Sequence, residues 1–345
     1  MSSRESGTLP PQQLSSLLKL LPDVQYAFGY GSGVFRQPNL YHAGGQPLVD
    51  FIVAVENPAA WHALNIKQNR NHYSFLRWLG GGTVDLVAES IAAGVFFNAN
   101  VILGDQRVKY GVVSLKRLHQ DLLHWDDLYV AGRLHKPVIH ILRGNLEVAQ
   151  SISTNLDAAL RLALLLLPPR FSERDLYRTI CRISYMGDIR MGIAEDADKV
   201  DRIVAGSYSS FEALYGRRMI QGRVAESAQL ARSYTGSWRQ TPSRAAHLQM
   251  TSELPMGLLK RACRAAKVRM EDEAVGLGRV RLMAGSNLLE KGNLQQSLEA
   301  AAASLVRRSS RKQAIAGPLM AGPWASLAYL SQKVIKAWRR RPLII

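Results

Sequence analysis

Tyr30-Gly31-Ser32-Gly33 and the carboxylate of Asp50, set in the apolar run 48–55, are the residues whose types and order best suit chemistry. Glycine lets a main chain approach a ligand closely, so a Gly-Ser-Gly turn can aim backbone N–H groups at a triphosphate. A carboxylate on the neighbouring strand can hold a magnesium ion on the same phosphates. The expectation is therefore that Gly31, Ser32 and Gly33 cradle phosphates and that Asp50 is a metal ligand. The same residues also suit a plain glycine turn ahead of a strand with an isolated aspartate, because short glycine motifs are common.

The elements that must position this pair alternate between strand and helix over residues 1–145. Residues 23–28 lead into the turn as a first strand. Residues 48–55 are apolar on both faces, which predicts a central strand. The stretch 59–78 mixes helix and loop and is dense in polar side chains, Lys67 and His72 among them, beside aromatics. It reads as a substrate-facing lining or as the polar side of a capped helix. Residues 95–103 and 107–113, joined by Gly104-Asp105, read as a hairpin whose second strand carries Lys109 and Tyr110. Ser114 suits the N-cap of a helix over 115–123 that contains Asp121. Residues 138–142 make a further strand.

After residue 145 the pattern turns helical. Helices are expected over 146–167, 176–184 and 195–215, with Gly187-Asp188-Ile189-Arg190-Met191-Gly192 between the last two. Ser172-Glu173-Arg174-Asp175 is a helix-start signal. Residues 233–252 read as a polar loop, and 255–268 and 287–306 as helices. The fold class expected is α+β: a mixed sheet with helices over 1–145, a helical winged-helix-like unit over 146–225, and a C-terminal region over 226–345.

Composition narrows the partners. The chain has 345 residues, 47% of them hydrophobic, and a net charge of +17, which favours a polyanionic partner. Its two cysteines form no metal-binding pair. Residues 158–167 are very apolar but too short to cross a membrane. The last forty residues, 306–345, hold nine basic side chains and no acidic one. There Trp324 and Trp338 recur with aliphatic residues at near-helical spacing, beside Lys333, Lys336, Arg339, Arg340 and Arg341. Apolar side chains on one face and basic ones on the other predict a helix lying on an anionic membrane surface, about 323–341. A tail helix docked on the body, or a basic end, is the alternative.

These motifs resemble the mitochondrial-type phosphatidate cytidylyltransferases, the translocator assembly and maintenance family within the nucleotidyltransferase superfamily. The matching stretches are Tyr30-Gly31-Ser32-Gly33-Val34-Phe35, Asp50-Phe51-Ile52, and Trp61-His62 through His72-Tyr73-Ser74. They continue with Lys109-Tyr110-Gly111-Val112, Asp121-Leu122-Leu123, Ala131-Gly132-Arg133-Leu134 with Lys136-Pro137, Phe171-Ser172-Glu173 and Gly187-Asp188-Ile189-Arg190-Met191. They cover roughly 24–220, and the likeness fades over about 221–300.

The resemblance implies a magnesium-dependent enzyme that takes CTP and phosphatidic acid to CDP-diacylglycerol and pyrophosphate, in cardiolipin and phosphatidylglycerol synthesis. It implies catalytic roles for Asp50, Ser32 and Lys109, and nucleotide or phosphate contacts among Tyr30, Gly31, Ser32, Gly33, Lys67, His72, Lys109, Tyr110, Arg133 and Lys136. Many relatives in the superfamily carry two carboxylates two residues apart. Here Ile52 follows Asp50 at that spacing, and Asp121 is the candidate second metal ligand. Asp188 and Arg190 are candidates for a cleft between the first two units, or for a structural ion pair.

Two other readings share some of these residues: a nucleotidyltransferase acting on RNA or a small molecule, and a non-catalytic membrane-binding scaffold. The C-terminal aromatic and basic pattern favours a peripheral membrane enzyme with no nucleic-acid partner. Arginine exceeds lysine 32 to 12, and residues 1–23 lack transit-peptide character. Those two features point to the cytoplasmic face of a bacterial inner membrane, with the matrix face of the mitochondrial inner membrane as the alternative.

Overall fold

A computed structural model describes residues 11–31, 33–34, 48–191, 198–234, 236–271 and 276–321. The helix α1 (Pro11–Leu18) precedes β1 (Tyr26–Tyr30) and β2 (Val49–Val55). Asn57 then caps α2 (Pro58–Gln68) by accepting from Ala60 N at 3.1 Å, and Pro58 fits the first helical turn, where no donor is needed. Short 3₁₀ turns at Arg70–His72 and Phe75–Trp78 lead to α3 (Gly81–Leu86), a π turn at Val87–Ile91, and the hairpin of β3 (Phe96–Leu103) and β4 (Gln106–Ser114). Ser114 caps α4 (Leu115–His124) through Arg117 N, and α5 (Ala131–Leu134) and β5 (Ile139–Leu142) follow.

Five strands form one mixed sheet in the order β3-β4-β2-β1-β5. β2 runs parallel to β4 and antiparallel to β1, so it sits in the middle, as its two apolar faces require. Alternation sorts the side chains. Val49, Phe51, Val53 and Val55, with Val108, Tyr110 and Val112 of β4, pack against Leu14 and Leu17 of α1 and Trp61 of α2. Ile52, Ala54, Tyr26, Phe28 and Val113 face the other way, into a larger core.

That larger core is built by helices. α6 (Leu146–Leu166) carries the apolar run noticed in the sequence, and its residues 158–165 are all buried at the centre of the molecule. β6 (Arg170–Phe171), α7 (Glu173–Ile183), α8 (Lys199–Gly206), α9 (Tyr208–Gln221) and α10 (Arg223–Ala228) follow. β7 (Ala231–Arg232) and β8 (Trp238–Arg239) complete a small antiparallel sheet ordered β6-β8-β7. Ser172 starts α7 through a full capping box with Asp175. The remaining helices are α11 (Arg244–Ser252), α12 (Met256–Ala266), α13 (Leu277–Glu290) and α14 (Leu294–Ala321).

Several boundaries differ from expectation. The helix expected over 195–215 is two helices, α8 and α9, broken at Ser207. The polar stretch 233–252 contains a helix, capped where Ser243 accepts from Ala246 N. Residues 287–306 span the end of one helix and the start of another, separated at Gly292, whose φ of 74° leaves the helical region.

One core cluster runs without a break from Tyr26 to Met320, so the C-terminal helices share a core with the sheet. α12 meets the end of α4 so closely that a Cβ on Gly257 would lie 2.5 Å from Trp125 O and 2.6 Å from His124 O. Gly257→Ala is expected to cost about 1–3 kcal/mol, the usual range for overpacking. Urea unfolding checks this; an unchanged midpoint would show that the two helices separate freely.

Candidate functional site

Three strands deliver one side chain each to the same face of the sheet. Tyr30 ends β1 opposite Asp50 of β2, and Asp50 is in register with Lys109 of β4. All three belong to the face of Phe28 and Ile52. The turn after β1 needs its glycines: Gly31 has φ of 81°, and a Cβ added there would lie 3.7 Å from Asp50 Oδ2. At Gly33 a Cβ would fall 2.0 Å from Leu48 O, which no side chain tolerates. The main chain therefore runs directly beside the Asp50 carboxylate, with no side chain between them at Gly31. Ser32 lies outside the described residues.

Cationic groups close around this trio. Lys109 Nζ sits 4.6 Å above the Phe97 ring. Arg133 of α5 lies 5.2 Å over the Tyr30 ring and 4.0 Å over the Tyr129 ring, and donates to Tyr129 O at 2.6 Å. Burial raises the Tyr30 hydroxyl above its ordinary range, Arg133 and Lys109 pull it down, and Asp50 pushes it up. Arg190 forms a bidentate pair with Asp188, Nε to Oδ1 at 2.9 Å and Nη2 to Oδ2 at 2.6 Å. Burial opposes ionisation of Asp188, but the hydrogen bonds and charge of Arg190 win, and the carboxyl stays below its usual range. Arg190 also feels Tyr129 and Arg133, so this pair joins the same cluster.

Lys136, one turn beyond Arg133, donates to Gly132 O and Ser184 Oγ and lies 5.0 Å over the Tyr185 ring. Lys199 stands over the same ring at 5.1 Å. Burial, together with the charges of Arg133 and Lys199, pushes the Lys136 ammonium down to about 8. Beside these residues runs a groove of about 1030 Å³ between α7, α8 and α14, which Tyr185, Gly187 and Met191 share with the cluster's margin. Phe171, Met186, Val200, Ala300 and Ala303 give it an apolar lining. Two of its lining arginines are engaged at the rim, Arg178 with Asp201 at 2.9 Å and Arg182 with Glu299 at 3.7 Å.

Asp121 does not join this site, which corrects its expected place as a second metal ligand. Its carboxylate is buried and accepts five backbone N–H groups: Asp127 and Leu128 on Oδ1, Tyr129, Val130 and Ala131 on Oδ2, at 2.7–3.1 Å. Two oxygens that receive five donors have no lone pair to offer a cation. The next acidic residue in the loop, Asp127, pairs with Arg117 of α4 and, at 3.3 Å, with Lys312 of α14. Among the described residues no group of three or more His, Cys, Asp or Glu side chains could hold a metal ion.

Tyr110, His72 and Lys67 are likewise not brought to this face. Tyr110 alternates with Lys109 and points through the sheet, where Asn65 Nδ2 and His72 Nδ1 reach its hydroxyl, each at 2.8 Å. His72 also meets Ile102 O at 3.0 Å, and Asn65 and His62 both bond Tyr73 Oη at 2.8 Å. His62, Asn65, His72 and Tyr73 thus form with Tyr110 a largely buried network that seats α2 on the sheet. Lys67 is exposed in the last turn of α2. Trp324, Lys333, Lys336, Trp338, Arg339, Arg340 and Arg341 lie outside the described residues. The structure adds Tyr129, Tyr185 and Lys199, which no spacing signal in the sequence marks.

A family profile described as mitochondrial phosphatidate cytidylyltransferase matches residues 14–336. A Xenopus laevis protein of that name is 37% identical over 340 residues, 95% of each chain. One from Danio rerio is 35% identical over 337 residues, 93% of each chain. One from Schizosaccharomyces pombe is 46% identical over 193 residues, 56% of this chain and 49% of its own. The full-length matches carry the likeness through 221–300, where the motifs alone had faded. They also overturn the bacterial inner-membrane expectation, since the relatives are named as mitochondrial. That expectation leaned on an arginine excess and on the composition of residues 1–23, and neither is an address.

Asp121→Asn replaces one acceptor oxygen with a donor aimed at backbone donors. Hydrogen bonds to a charged group are worth about 1.5–3 kcal/mol each, and several are lost together. A fall in unfolding free energy of at least about 3 kcal/mol is expected by urea titration, and a loss under about 1 kcal/mol would show the loop holds itself.

Proposed function

Since the chain belongs to the mitochondrial phosphatidate cytidylyltransferase family, we propose that the Tyr30–Asp50–Lys109–Arg133 cluster is its reaction centre and that Asp50 holds a magnesium ion there. The reaction itself follows from the family: a phosphate oxygen of phosphatidate attacks the α-phosphorus of CTP, the bond from the α-phosphorus to its bridging oxygen breaks, and pyrophosphate leaves. CDP-diacylglycerol is the product, a precursor for phospholipid synthesis.

The chemistry explains why cations dominate the cluster. A phosphomonoester has a second pKa near 6, so the attacking oxygen is already ionised near neutral pH and no strong base is needed. The difficulty is electrostatic: two polyanions must meet, and charge must be stabilised on departing pyrophosphate. Lys109, Arg133 and Lys136 are suited to neutralise those phosphates, and the turn at Gly31 to Gly33 to receive them on its backbone. Arg190 is held by Asp188 in a fixed orientation beside Arg133.

The residues present fit a magnesium ion. Magnesium is often held by one or two carboxylates, with substrate phosphates and water completing its shell. Asp50 is one such carboxylate, half-buried, with a glycine rather than a side chain beside it. When bound there, the ion supplies positive charge to phosphate oxygens.

The observation that carries this reading is the register Tyr30–Asp50–Lys109, which sets one carboxylate and one ammonium side by side where the glycine turn ends. Asp50→Asn tests it: CDP-diacylglycerol formation from labelled CTP is expected to fall by more than about 100-fold. The melting temperature should stay unchanged, and magnesium titration should no longer raise the rate. Turnover close to that of the unaltered enzyme would remove Asp50 from the reaction.

The depressed Lys136 ammonium adds a pH dependence. Lys136 is charged below about pH 8 and loses its proton as pH rises through that value. If it neutralises phosphate, KM for one of the two substrates should climb above pH 8 while kcat changes less. Lys136→Arg, which stays charged, should flatten the climb. A KM profile that is flat in the unaltered enzyme would show that Lys136 serves Gly132 and Ser184 alone.

A further inference from the structure

Two stretches of this chain contain no acidic residue. Residues 57–84 hold Lys67, Arg70 and Arg77, and residues 300–345 hold nine basic side chains. The fold brings the first stretch against the described end of α14 at one corner. Ser74 Oγ donates to Leu319 O at 2.8 Å across 245 residues of sequence, and Phe97 N reaches Met320 Sδ at 3.3 Å.

The same corner carries large apolar side chains that no core takes up. Phe75 is 47% exposed, Trp78 68% and Leu79 58%, three within five residues, and Ile315 of α14 is 67% exposed. Single exposed hydrophobics need no explanation, but a cluster rimmed by charge marks an interaction surface. The Arg70 guanidinium lies 4.2 Å over the Trp78 ring and that of Arg77 lies 5.4 Å away. The turn is braced: Ser74 accepts from Leu76 N while its hydroxyl is fixed on Leu319.

We propose that Phe75, Trp78 and Leu79, with Arg70 and Arg77, form a surface that docks on an anionic lipid bilayer. The inference rests on the reading that this enzyme takes phosphatidate from a membrane. Tryptophan settles at the level of the lipid headgroups, where its ring is half in hydrocarbon and its N–H stays wet. Arginines beside it meet lipid phosphates, and nothing acidic in either stretch repels them. Charge also argues against a second copy of the chain as the occupant, because each copy carries a net +17.

Cosedimentation of the full chain with vesicles of equimolar phosphatidylcholine and phosphatidylglycerol tests this. Trp78→Glu should lower the partition coefficient at least about tenfold, from the lost interfacial ring and the added repulsion. Arg70→Gln with Arg77→Gln should lower it on these vesicles and change little on phosphatidylcholine alone. Trp78→Phe should keep binding and remove part of the fluorescence that brominated lipid quenches. Cytidylyl transfer to a short-chain soluble phosphatidate separates this inference from the functional reading. It should be unchanged in Trp78→Glu; absence of transfer in the unaltered chain would instead overturn the functional reading. Trp78→Glu that sediments like the unaltered chain, also when residues 322–345 are removed from both, would overturn the docking surface. So would a sedimentation-velocity dimer that Trp78→Glu dissolves while vesicle binding persists.

Discussion

The buried carboxylate of Asp121 is the fixed point of this molecule. It accepts five consecutive backbone N–H groups, from Asp127 to Ala131, and so dictates the path of a loop that is neither helix nor strand. Trp125 and Leu128 take left-handed φ values of 54° and 52° within that path. Such conformations are unfavourable for side chains of this size and persist only where the surroundings impose them. The loop in turn sets Tyr129 and starts the short helix that carries Arg133 across two aromatic rings. Arg133 is thereby held in one orientation by its own surroundings.

Strand parity does comparable work on the sheet. Lys109 and Tyr110 are neighbours in sequence and sit on opposite faces, so each enters a separate polar assembly. One is the charged cluster with Asp50. The other is the neutral set of His62, Asn65, His72, Tyr73 and Tyr110, in which burial lowers the affinity of His62 for a proton to about 3. A neutral histidine there can accept or donate a hydrogen bond without carrying charge into the core.

This parity explains what could be read in advance. The glycine turn, the central strand with Asp50 and the hairpin with Lys109 were legible, because glycine geometry and apolar alternation are local signals. His72, Lys67 and Tyr110 were drawn into the same group because a polar, aromatic-rich segment looks alike whether it faces substrate or a buried network. Asp121 misled for a related reason: a carboxylate that anchors amides and one that holds a metal are the same residue in sequence. The helix over Arg244–Ser252 was hidden by its polarity, since its stability comes from packing on α13 and α6 rather than from propensity. Lys199 over Tyr185 depends on elements that meet only in three dimensions.

Lys312 reaches Asp127 from 185 residues further along the chain. A polypeptide made from its N-terminus forms the sheet, with Asp50 and Lys109, long before that lysine exists. Until then Asp127 sits in the loop with Arg117 as its one basic contact among the described residues. α14 thus supplies a late-made contact to the loop. A chain not yet made to Lys312 carries the strands of Asp50 and Lys109 but lacks this contact to the loop that precedes Arg133. The loop gains its contact with Lys312 only once the chain has been made past that residue.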